Sequence, residues 1–106
     1  MMPPSGPILP HKVDKWQLRG TWNDPQFQAT LLARTTQRVM VREALAPPDA
    51  GQMLGAMSQV YDLFDNRTSE LLATFHRYRN PDGSIGASGN PDPIFLLIDG
   101  VPTTDP

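Results

Sequence analysis

The chain has 106 residues, 39% of them hydrophobic, with a net charge of −2 and no cysteine. That length fits one domain, and the mild acidity argues against nucleic acid or an anionic membrane as a partner. Without cysteine, disulfides, thiolate zinc sites and cysteine nucleophiles are excluded, and a cytoplasmic setting is expected.

Twelve prolines and eight glycines predict much loop around a modest core. Residues 1–10, MMPPSGPILP, hold four prolines and little to bury, so a disordered arm is expected there. The arm has neither the charged nor the apolar region of a signal peptide. No apolar run approaches the ~20 residues of a membrane span. Val13 to Trp22 alternates, with Trp16 and Leu18 on one face of an extended chain, and predicts an edge strand. Asn23-Asp24-Pro25 is a helix start, because a carboxylate can accept first-turn amides and proline tolerates the first helical position. A helix over 24–37 follows, with Phe27 and Leu31 on one face. Val39, Val41, Glu43 and Leu45 alternate with Met40, Arg42 and Ala44, predicting a strand over 38–45.

Residues 49–64 are ambiguous. Met53, Met57, Val60, Tyr61 and Phe64 fit a helix capped by Asp49, but Gly51 and Gly55 weaken it by about 1 kcal/mol each. The preferred reading is a hairpin of strands 53–64 and 70–79 around Asn66, whose sequon is read as chance. A loop rich in glycine and proline runs to Pro93, and Ile94 to Ile98 predicts a buried strand. Asp99-Gly100 is a turn signal, and residues 102–106 are expected to form a tail. The expected architecture is α+β: an N-terminal helix packed on a small antiparallel sheet, in one domain over 11–101, with a long loop before the last strand.

The polar chemistry gathers around His76, Arg77, Tyr78 and Arg79 and the loop beginning at Asp82. A tuned histidine can act as acid or base, an arginine can hold a phosphate bidentately, and Asp82 can orient an imidazole. His76, Arg77, Arg79 and Asp82 together would suit a small metal-independent ribonuclease or toxin. A structural histidine is the commoner case. The glycines at 83, 86 and 89 offer amides to an anion, but no lysine or helix completes a phosphate loop. His11 and His76 are too few for a metal site, and no cofactor is expected.

Residues 76–93 resemble a group of small bacterial proteins of uncharacterised function. In that group a strand ending in His-x-Tyr leads into Pro-Asp-Gly-Ser/Thr-Ile-Gly and then Ser-Gly-x-Pro-Asp-Pro. The matching residues are His76, Tyr78, Pro81 to Gly86 and Ser88 to Pro93. Ile94 stands where the group has a basic residue, and Pro102 where it has an aromatic. The resemblance bears on the fold and implies no activity.

With no catalytic motif, the residues fit a non-enzymatic module of a bacterial or phage system: an accessory, adaptor or inhibitor that binds another protein. Trp16, Trp22, Tyr78, Arg77 and Arg79 are the candidate contacts, and a homo-oligomer is the alternative form of that partner. Deleting residues 1–10 is expected to leave the melting temperature within about 5 °C of the full chain, and a larger fall would show that the arm packs.

Overall fold

The computed structural model describes residues 11–35, 37–65, 67–86 and 91–105. The expected arm, Asn66 of the sequon and the loop positions 87–90, Gly89 among them, lie outside these residues. The described chain is an α+β domain of two helices and a six-stranded, mostly antiparallel sheet. In chain order the elements are β1 (His11–Lys12), α1 (Lys15–Trp22), α2 (Pro25–Arg34), β2 (Gln37–Leu45), β3 (Met57–Asp65), β4 (Glu70–Arg79), β5 (Asp92–Ile98) and β6 (Val101–Thr104). The strands lie in the order β1-β6-β5-β4-β3-β2, with only the β1–β6 pairing parallel.

The first correction is α1, where the alternation of Trp16 and Leu18 suggested a strand. Asp14 and Gln17 close a capping box: the Asp14 carboxylate accepts the Gln17 N–H at 2.9 Å, and the Gln17 side-chain oxygen accepts the Asp14 N–H at 3.2 Å. Two of the free first-turn donors are thereby satisfied. Leu18 and Trp22, four apart, then share the buried face. In α2, the Asp24 carboxylate accepts the N–H of Gln26 at 2.8 Å, and Pro25 opens the first turn. The helix stops at Arg34, short of the expected 37, because Thr35 takes an extended conformation.

The hairpin reading of 53–79 holds, with its first strand beginning at Met57. A helix over 50–64 is not formed, since Gly51 and Gly55 adopt positive φ of 69° and 85°. Those left-handed conformations break helical progression and suit glycine. The expected tail is the second correction. Asp99 and Gly100 both take positive φ, as a tight two-residue hairpin turn requires, so residues 101–104 return as β6 against β5. Thr103 is buried there.

One sheet face carries the core. Leu18 and Trp22 of α1 and Leu31 of α2 cluster with Leu63, Leu72, Ala73, Phe75 and Leu96 of the sheet. The helix most engaged with the sheet is α1, which lies against β5 and β6. Burying each large apolar side chain contributes about 1.5–3 kcal/mol. Phe75 stacks on Tyr61 at 5.3 Å and meets Trp22 at 5.5 Å, which ties helix to sheet. On denaturant titration, Leu18→Ala is expected to cost about 2–5 kcal/mol. Trp16→Ala, at a side chain 70% exposed, is expected to stay within about 0.5 kcal/mol. In an extended segment the two side chains would share a face, and the two costs would rise together.

Candidate functional site

The strand period of two separates the residues that the sequence groups together. His76 lies on the sheet face away from the helices. Its Nε2 is 2.7 Å from the Ser58 Oγ across the β3–β4 pair, and Tyr78 meets its ring edge-on at 4.6 Å. Nearby on the same face, the Thr74 hydroxyl donates to the Asp62 carboxylate at 2.6 Å. Burial pushes the His76 pKa below its ordinary 6.5, aided by Arg42 and opposed by Asp92. The Asp92 carboxylate is itself held by Arg19 at 3.1 Å. A neutral imidazole beside a hydroxyl can accept its proton, the elementary step of nucleophile activation. The same bond also ties β3 to β4.

Arg77 faces the opposite side. Its Nε donates to the Gln59 Oε1 at 2.9 Å, and an outer guanidinium nitrogen donates to the Tyr61 hydroxyl at 3.0 Å. Gln59 passes the chain on, donating from Nε2 to Glu43 Oε2 at 2.6 Å. Gln59 is almost fully buried, and both ends of its amide are satisfied. The Arg38 guanidinium lies 4.2 Å from the Tyr61 ring centroid, with Arg77 at 4.8 Å.

Asp82 is spent within its own turn. Its Oδ1 accepts the Ser84 N–H at 2.9 Å and the Ser84 hydroxyl at 2.6 Å, which hold its carboxyl below the usual range. Gly83 N–H donates to the Asn80 carbonyl and Gly86 N–H to the Tyr78 carbonyl, so neither amide is offered to an anion. A side chain at Gly86 would meet Gln52 at 2.5 Å. That glycine serves close approach. Arg79 is exposed at the end of β4. His76, Arg77 and Asp82 are thus engaged in three separate places. Among the described residues, no group of three or more His, Cys, Asp or Glu could hold a metal.

Of the expected partner contacts, Trp22 is corrected: it is 7% exposed and belongs to the core. Trp16 is exposed, with Arg19 lying 5.2 Å over its ring. Arg77 and Tyr78 are half-buried and engaged as described. A cleft of about 450 Å³ between α2 and the β5–β6 turn has an apolar floor of Phe27, Leu97 and Ile98. Of its charged groups, Asp24 caps α2 and Arg34 pairs with Asp65 and Glu70, while Asp99 stands in the β5–β6 turn.

The surface that sequence reasoning missed is the outer edge of β2. Met40, Val41 and Leu45 are 45%, 52% and 67% exposed, and Leu54 in the β2–β3 connection is 95% exposed. The connection is closed by the Ala46 N–H donating to the Ala56 carbonyl at 2.9 Å, which leaves Met53 and Leu54 outside the core. Apolar residues on both faces of 38–45 were the available signal. They were legible as a strand but not as an edge.

No helix among the described residues is long and apolar enough to cross a membrane. Comparison with protein-family models, with curated proteins and with solved structures gives no match to this chain.

The His76 pKa is depressed on folding, so the unfolded chain takes up that proton first as pH falls. Stability present above about pH 6.5 is therefore lost on acidification through that value. Asp65 and Asp82, held below 3.8, act only at lower pH. Urea midpoints are expected to fall for the wild type between about pH 7 and 5, and to fall less for His76→Gln.

Proposed function

We propose that this chain is a small non-enzymatic interaction module that works by binding another polypeptide, as an accessory, adaptor or inhibitor. The observation that carries the reading is the exposed apolar edge of β2, with Met40, Val41 and Leu45 along a strand that, among the described residues, has a neighbour on one side only. Unpaired edge N–H and C=O groups are ready to accept a further strand, and apolar side chains beside them add contact area. Leu54 and Met53 lie exposed in the connection that follows Leu45. Trp16, framed by Lys15 and Arg19, is an aromatic anchor on a separate surface.

The ribonuclease reading requires an imidazole and guanidinium groups within reach of one phosphate. His76 and Arg77 bond to Ser58 and Gln59, adjacent residues with opposite directions on β3, so that pair lends the reading less support.

A photocrosslinking residue placed at Met40 or Leu54 is expected to give discrete adducts in the native host. The same residue at Gln26, exposed on α2, is expected to give none. If neither Met40 nor Leu54 gives a discrete adduct, the interaction reading is wrong.

A further inference from the structure

The two edges of the sheet differ. Among the described residues, β1 at one end has two residues, while β2 at the other has nine and carries apolar side chains into solvent. Short edges resist further pairing, whereas long ones invite it. We propose that the partner at β2 is a second copy of this chain, with the two β2 strands antiparallel about a twofold axis between Met40 and Val41. The inference rests on the interaction reading and names its partner.

Register carries the proposal. Along β2, Arg38 and Met40 stand opposite Leu63 and Tyr61, while Glu43 and Leu45 stand opposite Gln59 and Met57, all on the helix-bearing face. Val39, Arg42 and Ala44 face the other way, opposite Asp62, Val60 and Ser58. The bulge at Val41 makes this possible, because one extra residue reverses the odd–even order of the faces. A twofold axis normal to the sheet must pair residues that share a face. Centred between Met40 and Val41, it sets Arg38 opposite Glu43, Val39 opposite Arg42 and Gln37 opposite Ala44, each pair on one face. Residues sharing a face on either side of the axis also direct their backbone groups to the same edge, so the ladder closes.

Charge selects this register over its neighbours. Moving the pairing by one residue sets opposite faces against each other. Moving it by two sets Arg38 opposite Leu45 and Glu43 opposite Met40 in one direction, and Arg38 opposite Val41 in the other. Only the central register gives two Arg38–Glu43 pairs, one on each side of the axis, flanking Met40 and Val41 from both copies. Arg38 is already held against Tyr61, and Glu43 uses Oε2 for Gln59, leaving Oε1 for the second copy's arginine. Both side chains are partly ordered before pairing, which lowers the entropic cost of association.

Sedimentation equilibrium on the purified full chain is expected to give twice the 11.7 kDa chain mass. Arg38→Glu sets like charges opposite each other twice, and Glu43→Arg does the same with the opposite sign. Each alone is expected to weaken self-association at least about tenfold. Mixed in equal amounts, the two variants have complementary charges at both positions and are expected to restore a dimer. Val41→Lys, at an exposed bulge residue, is expected to abolish the dimer while the thermal melt shows a retained fold. A wild type that stays monomeric to about 100 µM overturns self-pairing. A dimer indifferent to both charge reversals and to Val41→Lys overturns this edge as its site. In either case, Met40 photoadducts to a different protein would leave the interaction reading standing. A mixture that fails to reassociate, when each variant is folded and monomeric, overturns the register.

Discussion

Two short helices cannot cover a long hairpin, and much of the structure follows from that mismatch. The helices of eight and ten residues reach about 12 and 15 Å at 1.5 Å per residue. The ten residues of β4 span about 33 Å. Leu18, Trp22 and Leu31 therefore cover only the part of the sheet face built from Leu63, Ala73, Phe75 and Leu96. Farther along the same face the side chains change character. Gln59, Arg77, Glu43 and the Tyr61 hydroxyl form a hydrogen-bonded chain across β2, β3 and β4. A buried amide left unpaired costs about 1–3 kcal/mol, and this network satisfies both ends of Gln59. Tyr61 joins the two regions, stacking on Phe75 while bonding Arg77.

The other sheet face follows a different rule. Among the described residues it carries no helix of the core cluster, and its cross-strand contacts include the polar pairs Ser58 with His76 and Asp62 with Thr74. His76 and Arg77 are adjacent in sequence, yet one stabilises the helix-free face and the other the polar end of the core. The same alternation that builds the hairpin sets the His76 imidazole and the Arg77 guanidinium on opposite faces of the sheet.

The helix-to-hairpin junction is held by charge. Arg34, at the end of α2, reaches the Asp65 carboxylate at 3.4 Å and Glu70 at 2.7 Å. Asp65 is nearly inaccessible to solvent and accepts the Arg67 N–H, the main cause of its lowered pKa. This anchors one end of β3 beneath the helices. The other end projects beyond them with Leu45, Met53 and Leu54 exposed. The exposed apolar surface thus lies where the core stops.

Local chemistry in the sequence determined the elements that depend on a few neighbouring residues. Asn23-Asp24-Pro25 specified the start of α2, the alternation of 38–45 specified β2, and Asp99-Gly100 specified a turn. Gly51 and Gly55 argued correctly against a helix. The capping box of Asp14 and Gln17 was equally local and legible, but the alternation of Trp16 and Leu18 masked it, because two apolar residues two apart fit a strand as readily as a turn of helix. The sequence could not show that Val101 to Thr104 returns to the sheet, since that depends on β5 being there to receive it. Nor could it separate Trp22 from Trp16, because burial depends on Phe75, more than fifty residues farther along the chain. The candidate residues were legible as residue types, whereas which of their side chains meet is set by the β3–β4 register, which exists only once the strands have paired.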